Sequence, residues 1–231
     1  MNETPKLFVA IDQNDINSAK ELIQKLSPKM CGIKVGKELF TACGPEVIEW
    51  SQSKGFKIFL DLKYHDIPNT VGKACFAASR MGVSILNVHA LGGKEMMLAA
   101  KEGVDKSNND PSLIAVTLLT SLDEVALKNI GITSSVSDQV LNLAKSASQA
   151  GLDGVVCSAK DIANIKNELP EKFLYVTPGI RLSNSTKDDQ KRIATPIEAI
   201  KMGSNILVVG RPITQAKNPE AVLNEIMNEI S

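Results

Sequence analysis

Two carboxylates and an amine crowd one short stretch of the chain, residues 61–66, which reads DLKYHD. The stretch follows an apolar run at residues 56–60 that has the composition of a buried strand. Because residues two apart in a strand share a face, Asp61 and Lys63 are predicted to point the same way at the strand's carboxyl end. Asp66 lies just past that end. Such a cluster is costly to desolvate, which favours a chemical role over a folding role.

These residue types suit the removal of a carboxylate group. Alternating acids and amines hold one another ionised where the dielectric constant is low, and Lys34 is a second amine for such an array. Two unit charges about 4 Å apart interact by roughly 4 kcal/mol at an effective dielectric constant near 20, so Asp61 would repel a substrate carboxylate until carbon dioxide leaves. A neighbouring ammonium would stabilise the carbanion and protonate it. The alternative is a surface ion-pair network at a strand end.

The elements that must position these residues alternate along the whole chain. Short apolar runs predict eight strands, at residues 7–11, 32–35, 57–60, 84–88, 113–119, 154–157, 173–176 and 206–209. Helical periodicity follows each of them, at residues 16–26, 37–51, 69–81, 94–102, 137–150, 161–168, 197–202 and 219–230. This order predicts an α/β fold, a compact (β/α)₈ or TIM barrel that forms a single domain over residues 1–231. An open doubly wound sheet is the alternative, although no strand is followed by GxGxxG.

A barrel of this kind places its active site at the carboxyl ends of the strands. Polar residues gather at that rim in the sequence, and the candidate site residues among them are Asp12, Lys34, Asp61, Lys63, Thr120, Arg181, Gly210 and Arg211. Barrel enzymes commonly bind phosphate after strands 7 and 8, where the two arginines lie. Gln190 ends a polar loop, residues 181–189, that is predicted to close over a ligand.

Composition excludes several classes of protein. The chain has 26 basic and 26 acidic residues and 4% aromatic residues, which argues against nucleic-acid binding. It has no apolar run long enough to span a membrane and no amino-terminal signal pattern. Its four cysteines are scattered, without metal-ligand spacing, so we expect a cytoplasmic protein with no bound metal.

The motifs closely resemble those of the orotidine 5′-phosphate decarboxylase family. The most specific is DLKYHDIPNT at residues 61–70. Others follow in family order: VAID at 9–12, KVG at 34–36, NVHA at 87–90, LTS at 119–121, DGVVCSA at 153–159, TPGIR at 177–181, DQKR at 189–192 and VGRPI at 209–213. The resemblance covers the whole chain and is to the single-function bacterial form.

The resemblance implies decarboxylation of orotidine 5′-monophosphate to UMP and carbon dioxide, the last step of de novo UMP synthesis, without a cofactor. It implies that Lys63 protonates C6 and that Asp61 lies beside the substrate carboxylate. It implies that Lys34 and Asp12 contact the ribose and that Lys34 also holds the charge array together.

The resemblance also implies how the remaining groups bind the nucleotide. Thr120 would contact the pyrimidine, and the expected phosphate contacts are Gln190, Gly210 and Arg211, with Arg181 at a binding position. Asp66 and Thr70 would reach into the site of a partner subunit, so a homodimer with shared active sites is expected.

Two other functions remain open on the sequence. One is a metal-dependent sugar-phosphate lyase or decarboxylase of the same broader barrel group, which shares the core pattern DxKxxD but would need another acid for the metal. The other is a nucleotide-binding protein without catalytic activity, against which the intact Asp61, Lys63 and Asp66 argue.

Overall fold

A computed structural model describes residues 4–182 and 193–230. In these residues eight parallel strands close into a barrel, in which each strand pairs with the next and the last pairs with the first. The strands are β1 (Leu7–Ile11), β2 (Gly32–Gly36), β3 (Ile58–Tyr64), β4 (Ile85–His89), β5 (Ser112–Val116), β6 (Gly154–Val156), β7 (Leu174–Thr177) and β8 (Ile206–Val209). The predicted (β/α)₈ barrel is confirmed, and the open doubly wound sheet is wrong.

Helices connect the strands around the outside of the barrel. In the described ranges they are α1 (Ile16–Ile23), α2 (Lys37–Cys43), α3 (Glu46–Ser53), α4 (Pro68–Arg80), α5 (Lys94–Asp105), α6 (Glu124–Asn129), α7 (Val136–Gln149), α8 (Ala159–Ile165), α9 (Pro196–Met202), α10 (Arg211–Thr214) and α11 (Pro219–Glu229). The single helix predicted at residues 37–51 is wrong. Gly44, with φ of 60°, and Pro45 divide it into α2 and α3, because neither residue continues a helix well.

Apolar side chains fill the interior of the barrel below its carboxyl-end cavity. They come from alternate strand positions, namely Phe8, Ala10, Phe59, Ile85, Ile114, Val176, Ile206 and Val208, of which Ala10, Phe59 and Val208 also line the cavity. The rings of Phe8 and Phe59 meet edge to face, with centroids 6.0 Å apart. Gly32 makes room for this contact, since a Cβ atom there would lie 2.3 Å from the Phe8 ring. The open space of the barrel therefore lies at the carboxyl ends of the strands.

Strand β3 is longer than predicted and irregular near its end. It runs to Tyr64, and its register against β4 shifts between Leu60 and Tyr64. Lys63, within this shift, has a φ of 52°, which is unusual for a residue other than glycine. Strand β5 is shorter than predicted and ends at Val116, so residues 117–121 form part of the loop that follows it.

No helix within the described ranges is long and apolar enough to cross a membrane. The four cysteines all lie in these ranges and form no disulfide. Burial raises the pKa of the Cys31 and Cys75 thiols to about 12, so both behave as small apolar core residues.

Candidate active site

A cavity of about 370 Å³ opens at the carboxyl ends of the strands. This volume lies in the range of small-molecule sites. It brings together eight of the predicted site residues, which come from six different strand ends and their loops: Asp12, Lys34, Asp61, Lys63, Thr120, Arg181, Gly210 and Arg211. Apolar side chains complete its wall, among them Phe59, Val116, Leu118 and Val156.

Asp61 lies at the centre of a charge array. Its Oδ1 is 2.5 Å from Lys63 Nζ, and its Oδ2 is 3.2 Å from Lys34 Nζ. Lys34 Nζ also lies 4.0 Å from Asp12 Oδ1. The Asp61 and Lys34 side chains are 13% and 9% exposed, so these charges interact where water screens them poorly.

Asn87, for which no role was predicted, is also part of this array. Its Nδ2 donates a hydrogen bond to Asp61 Oδ1 at 2.7 Å, and its Oδ1 accepts one from the backbone N–H of Lys63 at 2.8 Å. Asn87 is fully buried at an interior-facing position of β4. The signal available in the sequence was a lone amide in the apolar run of a strand.

Asp61 is ionised at neutral pH. Burial opposes ionisation, but the nearby ammonium groups of Lys34 and Lys63 and the hydrogen bonds from Lys63 and Asn87 outweigh it and lower the pKa of Asp61 to about 2. The array therefore keeps a carboxylate pointing into a partly apolar cavity, where a second carboxylate would be repelled.

Arginines border another part of the cavity. Arg181 is buried after β7, and its Nη1 donates a hydrogen bond to the Ile180 carbonyl at 2.9 Å. Its backbone N–H donates a hydrogen bond to the Ala194 carbonyl at 3.0 Å, so residues 181 and 194 lie next to each other. Arg211 begins α10 directly after Gly210. Gln190 and most of the predicted closing loop lie outside the described residues.

Asp66 and Thr70 do not line the cavity of their own chain. Both are exposed, and Asp66 Oδ1 accepts a hydrogen bond from the backbone N–H of Ile67 at 2.6 Å. They lie at the start of α4, which begins with Pro68. A single chain therefore brings together Asp61, Lys63 and Lys34 but leaves Asp66 apart from them.

The donor set around Asp61 does not fit a divalent cation. Both of its carboxylate oxygens already face an ammonium group, and a cation there would be repelled by Lys34 and Lys63. Across residues 4–182 and 193–230, no three His, Cys, Asp or Glu side chains are arranged to hold a metal ion.

Comparisons with known proteins agree with this arrangement. The sequence model described as "Orotidine 5′-phosphate decarboxylase / HUMPS family" matches residues 5–226. The orotidine 5′-phosphate decarboxylase of Saccharophagus degradans is 52% identical over 227 residues, which cover 98% of this chain and 95% of that protein. The enzyme of Hydrogenovibrio crunogenus is 53% identical over 222 residues, which cover 96% of this chain and 94% of that protein.

A solved structure of similar shape is the orotidine 5′-phosphate decarboxylase of Lactobacillus acidophilus. It superposes with a TM-score of 0.88 at 40% sequence identity, over 99% of this chain and all of that one. Identity at this level over nearly the whole length shows common descent as well as a common fold. The chain therefore belongs to the orotidine 5′-phosphate decarboxylase / HUMPS family.

Proposed function

We propose that the protein decarboxylates orotidine 5′-monophosphate to UMP and carbon dioxide, the last step of de novo UMP synthesis. The observation that carries the proposal is the position of Asp61 in the cavity wall, with one carboxylate oxygen toward Lys63 and the other toward Lys34. The full-length relatives that bear this activity in their names support the same choice.

The proposed reaction uses only side chains of the array. The substrate carboxylate lies against Asp61, and their repulsion is relieved when the bond from C6 to the carboxyl carbon breaks. Its electron pair stays on C6, where the Lys63 ammonium stabilises the carbanion and then donates a proton to it. Lys63 becomes a neutral amine and recovers its proton from solvent. Since the ammonium is already held 2.5 Å from Asp61, little reorganisation accompanies the step.

The remaining cavity residues are proposed to hold the nucleotide. Lys34 and Asp12, next to each other at the rim, suit the ribose hydroxyls. Arg211 and the backbone N–H of Gly210 suit the phosphate, because barrel enzymes commonly bind phosphate after strands 7 and 8. Thr120 and Arg181 line the cavity, and we assign Thr120 to the pyrimidine edge and Arg181 to the phosphate side. Gln190 is assigned to the phosphate from the family resemblance alone.

A homodimer with shared sites is also proposed. Asp66 and Thr70 are exposed at the start of α4, and the neighbouring Ile67 is 66% exposed. A shallow groove beside them runs between α4 and α5. In a second copy seated on this face, Asp66 would add a carboxylate to the partner's charge array, and Thr70 would add a hydroxyl group to the partner's site. A cytoplasmic location suits a step of nucleotide biosynthesis.

The direct test is turnover of orotidine 5′-monophosphate by purified protein pretreated with EDTA, followed by loss of substrate absorbance. We expect full activity in the chelator, and no gain from added Mg²⁺. Activity that disappears in EDTA and returns with Mg²⁺ would favour the metal-dependent lyase of the same barrel group. UMP binding without any turnover would favour a non-catalytic nucleotide-binding protein.

A further inference from the structure

The end of β3 departs from regular pairing at the catalytic lysine. Leu60 pairs with Leu86 and Tyr64 pairs with Val88, so residues 61–63 of β3 stand opposite the single residue Asn87 of β4. A bulge of this kind leaves backbone groups without their usual partners in the neighbouring strand. The same bulge contains the left-handed backbone of Lys63.

The Asn87 amide supplies the missing partner. Its oxygen accepts the Lys63 backbone N–H at 2.8 Å, and its nitrogen donates to Asp61 Oδ1 at 2.7 Å. That carboxylate oxygen is also the one that faces Lys63 Nζ. One buried amide thus binds the backbone of the proton donor and the carboxylate that holds its ammonium.

We infer that Asn87 is a positioning residue for decarboxylation, which fixes the Lys63 backbone and the Asp61 carboxylate in the geometry that the reaction needs. The inference rests on the proposed function of the site. Asn87 is absent from the residues that line the cavity, so it acts through Lys63 and Asp61 and not by contact with substrate.

Two losses follow if the amide is removed. The partly buried Lys63 N–H loses its acceptor, so the bulge is free to relax toward ordinary extended backbone, which non-glycine residues prefer. Asp61 loses a donor that fixes its rotation. Both changes move the Lys63 ammonium relative to C6, and a misplacement of about 1 Å can reduce a rate about 100-fold.

The first test compares Asn87→Ala with the wild type. We expect kcat to fall about 100-fold while the affinity for UMP stays within about threefold, because the nucleotide contacts are unchanged. The matched control is Ser204→Ala, which removes another buried hydrogen bond, 2.8 Å from Ser204 Oγ to Thr177 Oγ1 just before β8. It is expected to lower stability and to keep kcat.

The second test uses the isosteric variant Asn87→Asp. The charged groups near this position are Asp61 and Lys63 of β3 and Lys34 of β2. The neighbouring strand β5 has no charged residue. His89 on β4 is neutral at pH 7, because burial and nearby positive groups lower its pKa to about 4. At neutral pH the new carboxylate would repel Asp61. Once protonated, it would donate to Asp61 and still accept from Lys63, so kcat relative to wild type should rise as the pH falls.

A third readout does not depend on activity. Hydrogen exchange of the Lys63 backbone N–H, followed by NMR, should be at least about 100-fold faster in Asn87→Ala than in wild type or Ser204→Ala, since its acceptor is gone. If Asn87→Ala does not fold, the inference is tested by the pH dependence of kcat in Asn87→Asp relative to wild type, where a constant kcat ratio between neutral and low pH would overturn it.

The outcomes separate this inference from the proposed function. A wild-type protein without turnover would refute the proposed function. Hydrogen exchange of the Lys63 backbone N–H would still decide whether Asn87 holds that backbone in place. Normal turnover by wild type together with a kcat within threefold of it in folded Asn87→Ala would overturn the positioning role. A UMP affinity that falls as much as kcat/KM would also overturn it, since the effect would then be on the whole site.

Discussion

At the scale of single residues, Asp61 connects the two ammonium groups of the array. It receives hydrogen bonds from Lys63 and Asn87 on one oxygen and faces Lys34 with the other. Its charge is stable only because these partners outweigh the effect of burial. The same interactions that keep Asp61 ionised in the cavity therefore also stabilise the folded protein.

The pH dependence of stability tests this balance at Asp61. Its pKa is lowered from 3.8 to about 2 in the folded protein, so its contribution is present above pH 4 and is lost as the pH falls toward 2. At pH 6, Asp61→Asn should lower the free energy of unfolding by on the order of 2 kcal/mol. At pH 3 the difference in free energy of unfolding between wild type and Asp61→Asn should be clearly smaller. Urea denaturation at both pH values measures it.

The control for this measurement is Asp105→Asn. Asp105 forms an exposed ion pair with Lys101 within α5. Such pairs contribute under about 1 kcal/mol, so this variant should differ little from wild type at pH 6. An Asp61→Asn difference that stayed constant from pH 6 to pH 3 would contradict the account of the array.

Asp61 and Lys63 were recognisable from the sequence because charged residues two positions apart at the end of an apolar strand are costly to desolvate, which favours a chemical role. Asn87 gave no comparable signal, since a buried amide in a strand also occurs as a structural residue. Its role depends on the register shift between β3 and β4. Such a shift arises from pairing across the sheet and cannot be predicted from the sequence of either strand alone.

At the scale of elements, each strand end brings a different group to the cavity. β1 and β8 were predicted with their observed bounds, because continuous apolar runs bounded by polar residues leave little choice. The α2–α3 division and the short helices α6 and α10 were not predicted, since short helices carry too few turns for a periodic pattern. The left-handed backbone at Lys63 was likewise invisible in the sequence.

The junction between β2 and α2 provides a test of how elements position Lys34. A Cβ atom at Gly36 would lie 3.0 Å from Lys34 Nζ and 3.9 Å from Asp12 Oδ1. Gly36→Ala should displace the ammonium by a few tenths of an ångström and reduce kcat/KM by about tenfold in the decarboxylation assay.

Gly44→Ala is the matched control at the other end of α2. No atom of the described residues lies within 4 Å of an added Cβ there, but its φ of 60° makes any side chain unfavourable. This variant should lower Tm and preserve kcat/KM. Equal kcat/KM values for the two variants would show that the distance between Gly36 and Lys34 does not matter to the reaction.

At the scale of the whole molecule, the proposed shared site needs two copies of the chain. The cavity of one chain contains Asp61, Lys63 and Lys34, whereas Asp66 and Thr70 are exposed on the adjacent face. A barrel accommodates this division well, because the loop after β3 and the start of α4 lie at the same rim as the cavity. The dimer is thus proposed because Asp66 and Thr70 lie outside the site of their own chain.

Mixing two inactive variants tests the shared site. Lys63→Met and Asp66→Asn should each lose most activity as pure proteins. If Asp66 acts in the partner's site, a mixed dimer has one intact site, so an equal mixture after subunit exchange should recover up to about a quarter of wild-type activity. A mixture that stays inactive, although mixed dimers are shown to form, would place Asp66 and Lys63 in the same chain's site.

The central claim is that the Lys63 ammonium, held against Asp61 before substrate binds, protonates C6. The most direct measurement is turnover of orotidine 5′-monophosphate by folded Lys63→Met, with Lys101→Met as the control for loss of a surface lysine. We predict that Lys63→Met binds UMP but is at least about 1000-fold slower than wild type, and that Lys101→Met is unchanged. A folded Lys63→Met protein that works within about tenfold of the wild-type rate would contradict the account.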